Sequence, residues 1–265
     1  MPPLALVGNL SFDLIDGGPP RVGGAPFHCG RAWRALHVRV TTIARCAPED
    51  ERRFRRSFAR LGLPVHFVPG RATTTFSFTY EGDRRIMRVE RVGDVWSPDD
   101  VVDVPHGAWV HVAPLLRGDF PPRTLASIAR GRRVSLDAQG LTRVRERGQL
   151  KLEPEPDLEP LLRHVSILKL AEEEAVALVG GLDPEALAAL GPPEVVVTFG
   201  SRGSLVVAGG NATEVTARHV EADPTGSGDM FAAAYVASRA SGYAPTAAAR
   251  RATGLVGALL RGRVS

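Results

Sequence analysis

Cysteine is scarce: Cys29 and Cys46 are the only two in 265 residues. Two thiols cannot build a disulfide framework, and no histidines lie near them at zinc-site spacing, so a reducing cytoplasm is the expected setting. Long apolar runs are missing as well. No stretch approaches the roughly 20 residues that cross a bilayer. The opening Met1-Pro-Pro-Leu-Ala-Leu-Val-Gly8 lacks the basic-then-apolar order of a secretory signal. No membrane partner is expected. Lysine is rare, with only Lys151 and Lys169, and arginine carries the positive charge behind a formal net charge of +4. That charge is scattered along the chain without a single basic face, so no nucleic-acid partner is expected, whereas an anionic small molecule would be served by it. The pattern Gly-x4-Gly-Lys-Ser/Thr is absent, which excludes a phosphate loop of that kind. What is present, 44% hydrophobic and 23% charged residues, is ordinary for a globular chain long enough to bury a large core.

Short apolar runs alternate with longer helical patterns. Leu4 to Val7, Val38 to Ile43, Val65 to Val68, Ala108 to Val112, Arg133 to Leu136, Ser166 to Leu168 and Val195 to Thr198 read as strands. Between them, a stretch from about Val22 to Leu36 and the segments Pro48 to Leu61, Pro121 to Arg130 and Glu172 to Val179 read as helices. Alternation of this kind predicts βαβ units around a parallel sheet. Residues 72–91 break the rhythm: Phe76, Phe78 and Tyr80 alternate with polar residues, Glu81-Gly-Asp83 suggests a turn, and Ile86, Arg88 and Glu90 continue with period two. This is an inserted β-hairpin, either an ordinary edge or a flap over a site. Asp16-Gly-Gly-Pro-Pro20 reads as a turn cluster, Gly140 to Pro156 as an irregular loop, and Glu214 to Val220 as a late strand.

The most informative stretch is Asp223-Pro-Thr-Gly-Ser-Gly-Asp-Met-Phe231. A glycine loop feeding an alanine-rich helix points several N–H groups, and the positive end of the helix dipole, at one place, as an anion such as phosphate requires. Asp229 at that mouth would repel a bound anion. Its presence is explained if it takes a proton from an attacking hydroxyl while the loop holds the phosphoryl group. The plainer alternative is an acidic first-turn residue favouring the dipole. Asp13, Gly23-Gly24, Gly200 to Gly203 and Gly226 to Asp229 all follow strand-like runs, so they converge on the carboxyl edge where ligands of parallel sheets bind.

On these residues the chain resembles the ribokinase, or PfkB, family of sugar and nucleoside kinases. The stretch 223–231 is similar to the family's Asp-Thr-Thr-Gly-Ala-Gly-Asp-x-Phe signature. Gly23-Gly-Ala-Pro-Phe-His28 resembles its Gly-Gly-x-x-x-Asn signature, and Val197-Thr-Phe-Gly-Ser-Arg-Gly203 its Thr-x-Gly-x-x-Gly segment. The resemblance implies an α/β, ribokinase-like three-layer fold with a mainly parallel central sheet and a small, reduced β lid. It implies one kinase domain over 1–265, with lid elements near 14–22 and 72–91. It implies an ATP-dependent transfer of the γ-phosphoryl group to a hydroxyl of a sugar or cyclic polyol. By the same likeness Asp229 is the general base, and Gly226, Ser227 and Gly228 form the anion hole. Asp13, Gly24 and His28 meet the acceptor, Thr198, Gly200 and Gly203 flank the nucleotide, and Mg²⁺ bridges the phosphates with Glu174 reaching it through water. A monomer or homodimer is expected.

Three departures qualify this. His28 stands where the family has Asn, hinting at an acceptor other than ribose. Ala171-Glu-Glu-Glu174 stands in the Asn-x-x-Glu segment, keeping the carboxylate but not the amide. The segment from Asp13 to Gly23 is short. These features also resemble, loosely, the inositol-kinase-like branch of the family. Asp137, Gln139 and Arg143 follow a strand and are placed either to reach a polyol or to form a surface loop. A nucleoside kinase of the same fold, with Phe76 or Phe78 stacked on a base, and a non-catalytic sensor of sugar or nucleotide are the alternative functions.

Overall fold

Leu4 to Val7 carries no polar side chain, and both of its faces are buried, as in a central parallel strand. A computed structural model of the chain describes residues 1–81 and 84–262. The elements run β1 (Leu4–Asn9), β2 (Ser11–Ile15), β3 (Arg21–Gly23), α1 (Ala25–Ala35), β4 (Val40–Cys46), α2 (Pro48–Leu61), β5 (Val65–Pro69), β6 (Thr74–Glu81) and β7 (Arg84–Arg91). After a 3-10 turn at Pro98–Val101 come β8 (Trp109–Ala113), α3 (Pro122–Ala129), β9 (Arg133–Asp137), α4 (Gln139–Thr142), β10 (Gly148–Gln149), α5 (Glu159–Leu162), β11 (Ile167–Ala171), α6 (Glu172–Val179) and α7 (Pro184–Ala188). The chain closes with β12 (Glu194–Thr198), β13 (Gly203–Ala208), β14 (Asn211–Thr216), α8 (Ser227–Ala240) and α9 (Pro245–Leu260).

Among the described residues the large sheet has nine strands in the order β14-β13-β12-β11-β9-β8-β1-β4-β5. Strands β12 through β5 in that order are parallel, and β13 and β14 fold back antiparallel at one edge. Alternating side chains of β1 feed both faces. Leu4 and Leu6 pack with Cys29 and Trp33 of α1, Met230, Ala233 and Val236 of α8 and Leu259 of α9. Ala5 and Val7 belong to the opposite layer, with Leu125 and Ile128 of α3, Ala175 of α6 and Leu187 of α7. Each large apolar side chain buried in this way contributes about 1.5–3 kcal/mol. Helix α8 is buried on nearly every side, as its run of alanines allows, and Trp33 Nε1 ties α1 to it by donating to Ala233 O at 3.0 Å.

The second sheet, β10-β7-β6-β2-β3, is the lid. Its inner face presents Phe76, Phe78 and Val89, which pack on Leu115 and Leu116 at the carboxyl edge of the large sheet. Several boundaries differ from expectation. The helix anticipated from Val22 starts at Ala25, because Arg21–Gly23 pairs with β2 as a short strand. The loop anticipated from Gly140 to Pro156 contains α4 and the two-residue β10, which pairs with β7 and widens the lid. Elements of two or three residues are too short to show periodicity. The turn anticipated at Glu81 to Asp83 falls on 82–83, outside the described residues. Among the described residues no helix is long and apolar enough to cross a membrane.

Candidate active site

The carboxyl ends of the parallel strands open into a cavity of about 440 Å³, roofed by Phe76, Phe78 and Met87 of the lid. On one wall, β2 carries Asp13, which is buried and accepts a hydrogen bond from Ser11 Oγ at 3.2 Å. The two glycines before α1 hold this wall together. A Cβ on Gly23 would stand 2.5 Å from Asp13 Oδ2. Gly24 has φ +89°, and a Cβ there would meet Asn9 O at 2.7 Å. One turn into α1, the His28 ring lies flat against the loop before α8, where a Cβ on Gly226 would come within 2.2 Å of it. Burial lowers the His28 pKa to about 4, against the opposing pull of Asp13, so the ring is neutral at pH 7. Among the described residues its Nδ1 has no hydrogen-bond partner.

The facing wall is the start of α8. Gly226 caps it in the left-handed region, φ 76°, and Ser227 N–H donates back to Pro224 O at 2.9 Å. Met230 N–H donates to Gly226 O, while the N–H groups of Gly226, Gly228 and Asp229 find no acceptor among the described residues. These three donors and the helix dipole make a cradle of a kind that suits an anion. Ser227, expected to lend its N–H to that cradle, has it committed to Pro224. Asp229 lines the same cavity. Burial, then the Asp137 charge, pushes its pKa up to about 7, with Lys169 and Arg143 pulling the other way.

Charged groups gather on the cavity floor. Lys169 of β11 lies 3.1 Å from Asp137 Oδ2 at the end of β9. Burial opposes the Lys169 charge, but Asp137, Glu174 and Asp229 outweigh it and hold its pKa above the usual lysine value. Glu174 Oε2 accepts the Ala171 N–H at 2.8 Å, closing the start of α6, and its Oε1 is 3.7 Å from Arg143. Burial and Asp137 raise its pKa, against Lys169 and Arg143.

Beyond the floor, Thr198 and Gly200 line the main cavity and also a smaller one of about 130 Å³, shared with Gly203, Phe231, Val256 and Leu260. Thr198 Oγ1 donates to Leu170 O at 3.1 Å. Gly203 has a structural necessity of its own: a Cβ there would overlap Val215 O at 2.0 Å, so only glycine lets β13 pair with β14. One cavity thus brings together Asp13, Gly24, His28, Glu174, Thr198, Gly200 and Gly226 to Asp229, with Gly203 just beside it. Gln139 and Arg143, left between site and surface loop by their sequence, line it as well. Lys169 was not singled out by the sequence reading. Its signal was there: one of two lysines in an arginine-rich chain, set inside an apolar strand.

The sequence pattern of the family described as pfkB family carbohydrate kinase matches residues 22–263. A pyrophosphate-dependent kinase in the ribokinase family, complexed with a pyrophosphate analog and myo-inositol, superposes with TM-score 0.87 at 25% identity, over 97% of this chain and 95% of that one. Fructokinase from Vibrio cholerae O395, bound to fructose, ADP and calcium, gives TM-score 0.73 at 25% identity over 97% and 91%. Arabidopsis thaliana ribokinase, complexed with ribose and ATP, shares the fold with TM-score 0.75 at 19% identity over 98% and 93%. With its signature segments in order around a single cavity and nearly its whole length matched, the chain belongs to the pfkB family of carbohydrate kinases.

Proposed function

We propose that the protein transfers the terminal phosphoryl group of a phosphate donor to a hydroxyl of a cyclic polyol of the inositol type. The observation that carries this is the Asp229 carboxylate beside three unpaired N–H donors, in one cavity with Asp13 and His28. Asp13 accepts hydrogen bonds from acceptor hydroxyls, and neutral His28, packed on Gly226, joins the acceptor wall to the phosphate cradle. Asp229 takes the proton of the reacting hydroxyl as its oxygen bonds to phosphorus. The bond to the leaving phosphate breaks with its electron pair, and the cradle holds the group in flight. Residues 1–265 act as one domain, with the lid strands excluding water from the transfer.

ATP is the donor that the family likeness implies. The cradle fits its phosphates through the unpaired N–H groups of Gly226, Gly228 and Asp229, while Thr198, Gly200 and Gly203 border the place for its nucleoside. Magnesium held mainly by donor phosphates would neutralise their charge, and the buried Glu174 carboxylate suits a contact through water. Pyrophosphate is a second donor reading with specific support. The cavity beside Thr198 measures about 130 Å³, small against the roughly 300 Å³ at which ligand pockets usually begin. Neighbours with TM-scores of 0.87 and 0.84 are pyrophosphate-dependent kinases.

The test is phosphate transfer followed by phosphorus NMR, with ATP and pyrophosphate each offered against myo-inositol, fructose, ribose and inosine. Turnover is expected with the inositol. Replacing Asp229→Asn is expected to lower kcat by about 10²- to 10⁴-fold. Turnover confined to inosine would move the assignment to a nucleoside kinase, and none with any pair would leave a sensor.

A further inference from the structure

Lys169 is buried in β11 with its side chain 6% exposed. Its ammonium pairs with Asp137 Oδ2 at 3.1 Å, a contact that takes at most one of its donors. Asp137 is fixed from its other side, where Oδ1 accepts the Gln139 N–H at 3.1 Å. An ammonium has three donors, and among the described residues Lys169 has no salt-bridge partner besides Asp137 to take the others. Buried ion pairs are tolerable when their remaining hydrogen-bonding capacity is filled, and here the ammonium leaves capacity open.

The position says what would fill it. Lys169 lines the main cavity next to Gly228 and Asp229, and a Cβ on Gly228 would stand 3.3 Å from its Nζ. The ammonium therefore lies against the start of α8, where the helix dipole has the same sign. Two like charges placed together in that way are stable when an anion sits between them. The unpaired N–H groups of Gly228 and Asp229 belong to the same spot. We propose that Lys169 is a further catalytic residue, whose ammonium contacts the phosphoryl group in transfer while Asp137 holds it in place. The proposal rests on the kinase reading above. As the acceptor oxygen bonds to phosphorus and its proton passes to Asp229, negative charge gathers on the leaving phosphate, and the ammonium offsets it.

Because Lys169→Met alone would strand Asp137 as a buried unpaired charge, the test pairs it with Asp137→Asn, and Asp137→Asn alone serves as control. Inorganic pyrophosphate binding is measured by calorimetry on the full chain, with turnover and melting beside it. The double variant is expected to melt with the wild type, bind pyrophosphate about tenfold or more weakly, and lose about 10²-fold or more in kcat with the acceptor KM little changed. The single Asp137→Asn variant keeps the ammonium but loosens its hold, and is expected to bind pyrophosphate more weakly than wild type and more tightly than the double variant. If the double variant binds and turns over like wild type, Lys169 is only a counter-charge and the proposal fails. If Asp137→Asn alone loses as much affinity as the double variant, removing the ammonium adds nothing and the proposal also fails. A wild type inactive on every acceptor but binding pyrophosphate through Lys169 would overturn the kinase reading and leave the phosphate contact standing.

Discussion

In the proposed mechanism the protonation of Asp229 bears on both rate and stability. Its pKa is pushed up to about 7 by burial and by Asp137 at the end of β9, against Lys169 of β11 and Arg143 after α4. A general base works only when deprotonated, so kcat/KM is expected to fall about tenfold per pH unit below 7 and level off above it. A pH–rate profile flat from 5 to 8 would remove Asp229 from that role. The stability effect has the opposite sense. The folded-state pKa is raised above the unfolded value near 4, so the group's favourable contribution is complete below pH 4 and is lost as pH rises through 7. Asp229→Asn is therefore expected to match wild type near pH 4 and to be more stable by about 1–3 kcal/mol at pH 8, as urea unfolding at the two pH values would show. The role proposed for Asp229 was legible in the sequence because a carboxylate after a glycine loop is chemically odd. Its tuning was not, since Asp137, Lys169 and Arg143 come from two strands and a loop that only the folded sheet brings together.

At the scale of elements, the turn from β3 into α1 separates two kinds of glycine. At Gly23 the space for a side chain is taken by Asp13 Oδ2 and Ser11 Oγ, 2.5 and 2.7 Å from the ideal Cβ. Gly23→Ala displaces side chains, so it is expected to raise the acceptor KM about tenfold with only a small change in melting. At Gly24 the obstacles are backbone atoms, Asn9 O and Leu10 Cα, and φ is +89°. Gly24→Ala must bend the chain, and a loss of about 1–3 kcal/mol in unfolding free energy is expected before any kinetic effect. Thermal melts and acceptor titrations on both variants check the contrast. Long elements were legible for ordinary reasons: α2 runs from Pro48 to Leu61, with proline at its start and left-handed Gly62 capping its end, and its Phe54 and Phe58 face inward. Strands β3 and β10 were not, because Arg21–Gly23 and Gly148–Gln149 become strands only by pairing with β2 and β7. Their conformation is set by a partner, not by their own residues.

Across the whole molecule, the lid must be held at one height above the large sheet for the cavity to keep its shape, and Asp119 is where the two are joined. Its Oδ2 accepts hydrogen bonds from Asn9 Nδ2 at the end of β1 and from the N–H groups of Leu115 and Leu116, at 2.9, 2.9 and 3.0 Å. Asn9 Oδ1 in turn accepts Trp96 Nε1 at 2.8 Å. Arg145 bridges Asp119 to Gly93 O, just past the end of β7. Leu115 and Leu116 are the surface on which Phe76, Phe78 and Val89 of the lid rest. One buried carboxylate thus fixes the central strand, the platform under the lid and the root of the lid together. No local pattern announces this, since Asn9 and Asp119 are 110 residues apart and each reads alone as an ordinary turn residue. Asp119→Ala leaves Arg145, Asn9 and two backbone N–H groups without their acceptor, so a loss of about 3–5 kcal/mol in unfolding free energy is expected. The milder Asp119→Asn keeps an oxygen toward the backbone donors but drops the ion pair with Arg145. Its expected signature is a raised acceptor KM with the fold intact, because the platform survives and the lid loses its anchor. If both variants melt and bind the acceptor like wild type, the lid is positioned by the apolar contacts of Phe76 and Phe78 alone.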